Sequence, residues 1–243
     1  MSGLSATWQP IQGVGTLSTT RDGGVSKPPF DSLNLGLHVG DNSQDVLTNR
    51  AHVNSYIPNP AVWLNQVHSA DVIRVDEGFD FNQTLTGDAL YTQLYNQPLA
   101  IMTADCLPIL LTSSDGQEVA AIHAGWRGLA QGIINNTVSY FKHAPTNLHA
   151  WLGPAIGANQ FEVGQEVVAT FTANNPALHD AFKPQNNDKY LADIYYIARI
   201  LLNQRGVVNI SGGEYCTFSQ KNQFFSYRRD GQTGRMASLI WRK

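Results

Sequence analysis

The chain has 243 residues and a formal net charge of −3; apolar residues make up 42% of it and charged residues only 14%. This length favours one large domain, and the apolar fraction is enough for a substantial core. The acidic balance and the lack of a Lys/Arg run argue against nucleic-acid binding. No apolar stretch approaches the ~20 residues that span a bilayer. The first residues lack the features of a secretory signal, so we expect a cytoplasmic protein without membrane partners.

The first half of the chain is expected to contain mostly short strands. Residues 14–41 are rich in turn signals and predict a loop-rich segment. Short apolar runs then predict six strands, at residues 62–67, 72–75, 89–92, 99–102, 109–112 and 119–123. The last strand leads through a glycine-containing turn into a helix that we expect to reach about residue 141, because its apolar residues lie on one side.

The second half contains the clearest helix, at about residues 188–204. Its apolar residues recur at three- and four-residue steps, and Gly206 follows as a stop signal. Residues 236–241 predict a final strand. Strands outnumber helices and only some of them alternate with helices. We therefore expect a mixed α/β or α+β fold, with helices covering sheets, in a single domain over residues 1–243.

Three short segments carry side chains that could bind a metal. Cys106 stands beside Asp105 ahead of an apolar run, where a buried structural cysteine is the common alternative. His123 and His68 each end a predicted strand. Two histidines and one cysteine leave a fourth position for water or substrate, as catalytic zinc requires. Their wide separation in the chain means that spacing alone cannot establish the site, and Cys216 is expected to be core filler without a disulfide.

An arginine follows the second histidine in the sequence HAGWRG (residues 123–128). The backbone N–H groups at the start of a helix suit an anion, and Arg127 would add a bidentate donor for phosphate. An ordinary strand-to-helix connection is the alternative interpretation of the same motif.

These segments, together with others in the same order, resemble the YfiH-type laccase-domain family. Its members have been described both as polyphenol oxidases and as purine nucleoside phosphorylases. The resemblance covers nearly the whole chain. It is carried by the segments TRDGGVS (20–26), SLNLG (32–36), HVGD (38–41), NR (49–50), NQVH (65–68), GDA (87–89), TADCLP (103–108), HAGWRG (123–128), GPAIG (153–157) and FSYRRD (225–230).

The resemblance implies a layered α/β/β/α fold and a catalytic zinc centre formed by His68, Cys106 and His123. It also implies phosphorolysis of adenosine, inosine or methylthioadenosine, with adenosine deamination as a further activity. The expected partners are thus a nucleoside and phosphate. Zinc at this position would lower the pKa of a bound water or polarise the substrate.

Six further residues are expected to contact the substrate: Arg50, Gln66, Asp88, Asp105, Arg127 and Arg228. Asp88 or Asp105 could carry a proton, or could instead orient a histidine ring through its N–H group. Arg127 or Arg50 could hold the phosphate.

Other functions stay open at this point. A coupled copper cluster needs many imidazoles, and no two of the seven histidines are separated by one residue. Copper remains possible as an alternative metal. Cys106 and His123 could instead act as nucleophile and base of a cysteine hydrolase, such as an amidase that edits UDP-muramyl peptidoglycan precursors. A binding protein without activity is a further alternative. No heptad pattern or long amphipathic seam is visible; the sequence leaves the oligomeric state open, with a monomer favoured.

Overall fold

A computed structural model describes residues 3–7, 11–81, 83, 85–173 and 175–243. The strands of this part of the chain are β1 (Gly3–Leu4), β2 (Val14–Thr19), β3 (Leu64–Asn65), β4 (Val72–Val75), β5 (Leu85–Thr86), β6 (Ala89–Thr92), β7 (Leu99–Thr103), β8 (Leu107–Ser113), β9 (Val119–Ala124), β10 (Leu148–Leu152), β11 (Glu162–Gly164), β12 (Phe182–Pro184), β13 (Lys189–Ala192), β14 (Asn209–Gly212) and β15 (Met236–Arg242). The helices are α1 (Ser43–Asn54), α2 (Trp126–Ala130), α3 (Ile133–Val138), α4 (Gln165–Thr172), α5 (Ile194–Gln204) and α6 (Tyr227–Asp230), with 3₁₀ turns at Pro145–Asn147 and Pro176–Ala181.

Two large sheets form the middle of the molecule. The six-stranded sheet has the order β14-β10-β8-β9-β6-β4, and the four-stranded sheet has the order β1-β2-β15-β7. Two smaller sheets, β11-β13-β12 and β3-β5, flank them. In the larger sheet β9 lies antiparallel between β8 and β6. The strands that lead into the predicted metal-binding segments are therefore neighbours.

The two large sheets pack face to face because their side chains alternate between two faces. In β8, Ile109 and Leu111 pack against the layer that contains α3 and α5, whereas Leu110 packs against the second sheet. In β15, Ile240 faces the larger sheet and Leu239 packs with α1 on the outer side. The order of layers is thus α/β/β/α, which confirms the expected mixed α/β fold.

Several element boundaries differ from those predicted. Residues 14–19 form β2 inside the segment expected to be loop, because they pair with β15 along their length. The helix expected after residue 125 is interrupted at Gly132, which has a left-handed φ of +91° and separates α2 from α3. The helix expected from residue 188 begins only at Ile194, capped by the Asp193 side chain, because residues 189–192 pair with β11 and β12.

The sequence pattern did not reveal α1, α4 or β10. The inward face of α1 consists of Val46, Asn49 and Val53, so a polar residue interrupts its apolar stripe. Asn42 nevertheless caps this helix by accepting hydrogen bonds from two backbone N–H groups of the first turn. None of the helices in the described part of the chain has the length and hydrophobicity that crossing a bilayer requires.

Candidate metal centre

The structure brings His68, Cys106 and His123 together. One potential ligand atom from each lies within 4.8 Å of the others. The Cys106 Sγ and His68 Nε2 atoms are 3.7 Å apart, and the two imidazole rings meet edge to face at 4.8 Å. Three segments separated by up to 55 positions (123 − 68) in the chain therefore converge on one point.

Adjacent strands fix two of the three side chains. His123 lies in β9, and Cys106 directly precedes β8, where Pro108 is paired with His123. His68 lies in the loop after β3 with a left-handed φ of +62°, and Asp105 has a φ of +97°. Non-glycine residues rarely adopt this backbone region, and such residues concentrate at functional sites. The backbone around the cluster is thus held in turns that the sequence alone did not predict.

Asp88 supports the cluster from behind. Its carboxylate accepts hydrogen bonds from the backbone N–H groups of Val67, His68 and Ser69, and from the Ser69 hydroxyl. It also lies 2.7 Å from Nδ1 of His123. This contact leaves Nε2 of His123 free to face the cluster, the usual role of a carboxylate behind a metal-binding histidine. The Asp88 side chain, which was expected to contact substrate, is fully buried and hydrogen-bonded internally.

The charges of these groups reinforce one another. Burial raises the pKa of the Cys106 thiol, but the neighbouring His123 and His68 rings outweigh burial and hold that pKa below its ordinary value. Burial lowers the pKa of the His123 ring, but the neighbouring Cys106 and Asp88 have the larger and opposite effect. The pKa of His123 is therefore raised above its ordinary value. Hydrogen bonds from His123 and Ser69 overcome the effect of burial and lower the pKa of Asp88 to about 2. The surroundings of the cluster therefore favour the thiolate form of Cys106 and the carboxylate form of Asp88.

The donor set fits a metal ion such as zinc. Zinc binds thiolate sulfur at about 2.3 Å and imidazole nitrogen at about 2.0 Å, which places such ligand atoms about 3.5 Å apart in a tetrahedral arrangement. The observed 3.7 Å between Cys106 Sγ and His68 Nε2 is close to this spacing. The cluster could therefore hold one metal ion with a position left for a water or a substrate. No other group of three potential metal ligands occurs in the described ranges.

Gly125 leaves room for the cluster at the start of α2. A Cβ atom at this position would lie 2.9 Å from Cδ2 of His68 and 3.2 Å from Sγ of Cys106. Both distances are shorter than ordinary carbon contacts, which are about 3.5 Å or more. The glycine in the HAGWRG motif thus permits the close approach of the helix start to two of the three potential ligands.

A cavity of about 530 Å³ lies over the cluster and is lined by all three of its residues. Such a volume is typical of a site for a small molecule. Its apolar walls are formed by Met102, Ala104, Trp126, Ile156, Phe161 and Ile194. Its polar walls are formed by His38, Gln66, Thr103, Asp105, Arg127, Tyr227, Arg228 and Arg235.

Two of the expected substrate contacts line this cavity but are engaged by the protein. The Asp105 carboxylate accepts hydrogen bonds from the hydroxyls of Thr217 and Ser226 and from the backbone N–H of Arg228. The Gln66 side chain pairs with the backbone of Met102 in both directions, at 2.8 Å each. Both residues therefore fix loops around the cavity.

The three expected arginines differ in position. Arg127 and Arg228 are exposed and line the cavity, stacked on Trp126 and Phe161 respectively. Arg50, also expected to contact substrate, does not line this cavity. Its Nε donates to the Leu35 carbonyl, and its guanidinium covers Trp63 in a neighbouring pocket of about 470 Å³.

His38 and Arg235, which the sequence motifs did not point to, also line the cavity. Arg235 directly precedes β15, and His38 lies in the segment HVGD, which was noted without a role. The sequence offered one indication that Arg235 has a function: it is a charged residue directly before an apolar strand. Many arginines occupy such positions for structural reasons, so the signal was weak.

The family follows from comparison with known proteins. A family model described as multi-copper polyphenol oxidoreductase laccase matches residues 15–243. The chain therefore belongs to this family of laccase-domain proteins. The structure is similar to that of the Neisseria meningitidis protein NMB0706, with a TM-score of 0.96 and 46% identity over 100% of both chains. It is also similar to YlmD from Geobacillus stearothermophilus, with a TM-score of 0.90, 35% identity and coverage of 100% and 97%.

Relatives found by sequence similarity carry names that state an activity. A Haemophilus influenzae protein named purine nucleoside phosphorylase is 46% identical over 245 residues, which cover 99% of each chain. The Escherichia coli protein named purine nucleoside phosphorylase YfiH is 50% identical over 236 residues, which cover 96% of each chain. The resemblance inferred from the sequence segments is thus confirmed over nearly the whole chain.

Proposed function

We propose that this protein is a zinc-dependent purine nucleoside phosphorylase that acts on adenosine, inosine and methylthioadenosine. The observation that carries the proposal is the convergence of His68, Cys106 and His123 at the base of a cavity of nucleoside size. The names of relatives that are 46–50% identical over almost the full chain support the same reaction.

The reaction joins phosphate to the sugar and releases the base. An oxygen of hydrogen phosphate forms a bond to C1′ of the nucleoside while the bond from C1′ to N9 of the purine breaks. The proton of hydrogen phosphate ends on the released base, so that adenosine and phosphate give adenine and ribose-1-phosphate. A bound zinc would supply a Lewis acid and a water of lowered pKa beside the substrate.

The residues of the chain would hold the reactants around this centre. Asp88 would keep the His123 ring in one orientation and tautomer, because its carboxylate accepts from Nδ1. Trp126 and Phe161 offer aromatic surfaces for the base, and Arg127 and Arg228 stack on them at the cavity wall. These two arginines would contact the nucleoside or its phosphate partner at the entrance.

Adenosine deamination is proposed as a further activity of the same centre. Here water would add to C6 of adenine and ammonia would leave, so that adenosine and water give inosine and ammonia. Asp105 is less suited to carry the proton than the residues at the cluster, because three hydrogen bonds from the protein already engage its carboxylate.

Chromatography of adenosine incubated with zinc-loaded protein tests the proposal, with and without phosphate. We expect adenine and ribose-1-phosphate only when phosphate is present, and inosine in both conditions if deamination occurs. Unchanged adenosine, inosine and methylthioadenosine in both conditions would refute the phosphorylase.

Two other activities would then be examined with the same sample. Release of an amino acid from a UDP-linked muramyl substrate, blocked by alkylation of Cys106, would support the hydrolase. Copper-dependent oxidation of a phenol would support the oxidase that the family description names. A single three-residue cluster among the described residues disfavours a coupled copper site.

A further inference from the structure

The Arg235 guanidinium is a charged group of the cavity wall. Its Nη1 atom donates to the carbonyl oxygens of Thr233 and Gly234, at 3.0 Å each. Its Nε and Nη2 atoms have no hydrogen-bond partner in the part of the chain that the structure describes, and no carboxylate there forms an ion pair with it. One edge of the guanidinium is thus available to a ligand in the cavity.

The protein holds this arginine in place through its backbone. The N–H of Arg235 donates to the Asn34 side chain, and its carbonyl accepts from the N–H of Leu35. Gly36 lies against the arginine stem, where a Cβ would be 2.9 Å from Cγ of Arg235. The loop at residues 34–36 therefore binds both the N–H and the carbonyl group of Arg235, and its glycine leaves space for the arginine side chain.

The surroundings of Arg235 suit an anion. His38 lines the same cavity, and partial burial, followed by the positive charges of Arg235 and Arg50, lowers its pKa. Its imidazole ring can donate an N–H to an anion in the cavity. Cys106 and Asp105 are the acidic groups closest in charge effect to Arg235, and the Asp105 carboxylate already accepts hydrogen bonds from Thr217, Ser226 and the Arg228 backbone.

We propose that Arg235, with His38 beside it, forms the subsite for the phosphate that attacks the nucleoside. Phosphate oxygens match the fork of Nε and Nη2 in bidentate fashion. The nucleoside would then lie with its base toward the apolar wall at Phe161 and Ile194, and with C1′ between this wall and Arg235. This assignment rests on the proposed phosphorylase function, and it gives Arg127 no essential part in phosphate binding.

Steady-state kinetics with zinc-loaded protein test the assignment. Phosphate is varied at saturating nucleoside for wild type, Arg235→Gln, Arg235→Lys and Arg127→Gln. Arg74→Gln is the matched control, because it removes the same charge from an exposed residue paired with Asp76. We expect the phosphate KM to rise about tenfold or more in Arg235→Gln and less in Arg235→Lys, with the nucleoside KM within about twofold of wild type. An unchanged phosphate KM in Arg235→Gln, or a rise confined to Arg127→Gln, would overturn the assignment.

Direct binding of inorganic phosphate separates this inference from the proposed function. Titration calorimetry needs no nucleoside and no turnover. Binding to wild type but not to Arg235→Gln would support the anion subsite even if no nucleoside were cleaved. Equal binding to both proteins would overturn it. Zinc content is measured for each variant, because Arg235 could instead balance the Cys106 thiolate. The assignment would also be overturned if Arg235→Gln lost zinc but, once saturated with zinc, bound phosphate as wild type does. If Arg235→Gln fails to fold, Arg235→Lys is used for the same comparison.

Discussion

At the scale of single residues, a buried carboxylate holds the centre together. The Asp88 carboxylate joins the His123 ring to three consecutive backbone N–H groups of the His68 loop. It therefore couples the orientation of one potential metal ligand to the backbone of another. Replacement of Asp88 should affect both at once.

Asp88→Asn is expected to lower metal affinity by about 10- to 100-fold, because the amide is a poorer acceptor for the His123 Nδ1–H. Competition with a chromophoric chelator measures the affinity, and Asp71→Asn is a matched exposed control. A folded Asp88→Asn protein that binds zinc as tightly as wild type would contradict this role.

Gly125→Ala is expected to weaken metal binding while the fold is retained. The added methyl would press on Cδ2 of His68 and Sγ of Cys106 and push two ligands apart. Gly78→Ala is the control, because its Cβ would have no neighbour closer than 3.7 Å. Zinc content after dialysis gives the comparison. Equal zinc retention by both variants would show that the centre has more space than the structure indicates.

The sequence could single out three potential ligands because each lies in a short segment with its own motif, and the family resemblance joined them into one expected site. It could not identify the role of Asp88, since the hydrogen bonds to residues 67–69 exist only after β6 and the His68 loop come together. Arg235 was missed for a similar reason. Its neighbours Asn34 and Gly36 are about 200 positions away in the chain.

At the scale of elements, strand pairing determined the secondary structure of segments whose apolar pattern predicted a different element. Residues 189–192 carry the same apolar periodicity as the helix that follows, yet they form β13 because β11 and β12 supply partners on both sides. Fully buried strands such as β8 and β9 were predicted within a few residues, since continuous apolar runs indicate burial on both faces. The break between α2 and α3 depends on one glycine.

Gly132→Ala is expected to destabilise the protein by about 1–2 kcal/mol, because the residue has a left-handed φ of +91° that an alanine side chain disfavours. Urea unfolding measures the change. Asn135→Ala in the next turn is the control, since this residue is exposed and helical, and its free energy of unfolding should change by no more than about 0.5 kcal/mol. Equal stability of wild type and Gly132→Ala would mean that α2 and α3 can join as one helix.

At the scale of the whole molecule, a polar cluster at the far end of β9 ties the larger sheet to the helical layer. Glu118 is fully buried and accepts hydrogen bonds from Tyr91 and from the backbone and ring of His143. These bonds outweigh burial and lower the pKa of Glu118. The hydrogen bond to Glu118 raises the pKa of His143.

These shifts predict how stability depends on pH. The contribution of His143 is fully present below its unfolded pKa of about 6.5 and is lost as pH rises through its raised folded value. The contribution of Glu118 is present above about pH 4.5 and is lost as pH falls through its lowered value. The loss of unfolding free energy in His143→Asn should thus be largest near pH 6, at no more than about 1 kcal/mol, and smaller at pH 9.

Urea unfolding from pH 5.5 to pH 9 tests this dependence, with His179→Asn as the control at a histidine outside the cluster. A difference between wild type and His143→Asn that stays constant over this range, or grows with pH, would contradict the charged pair.

In the proposed function, phosphorolysis takes place at the His68–Cys106–His123 centre. The most direct measurement is the rate of phosphate-dependent adenine release against bound zinc in the same samples, for wild type, Cys106→Ala and Cys216→Ala. We predict a rate proportional to zinc up to one ion per chain for wild type and Cys216→Ala, and almost none for Cys106→Ala. Full activity of zinc-free wild type, or of folded Cys106→Ala, would contradict the central claim.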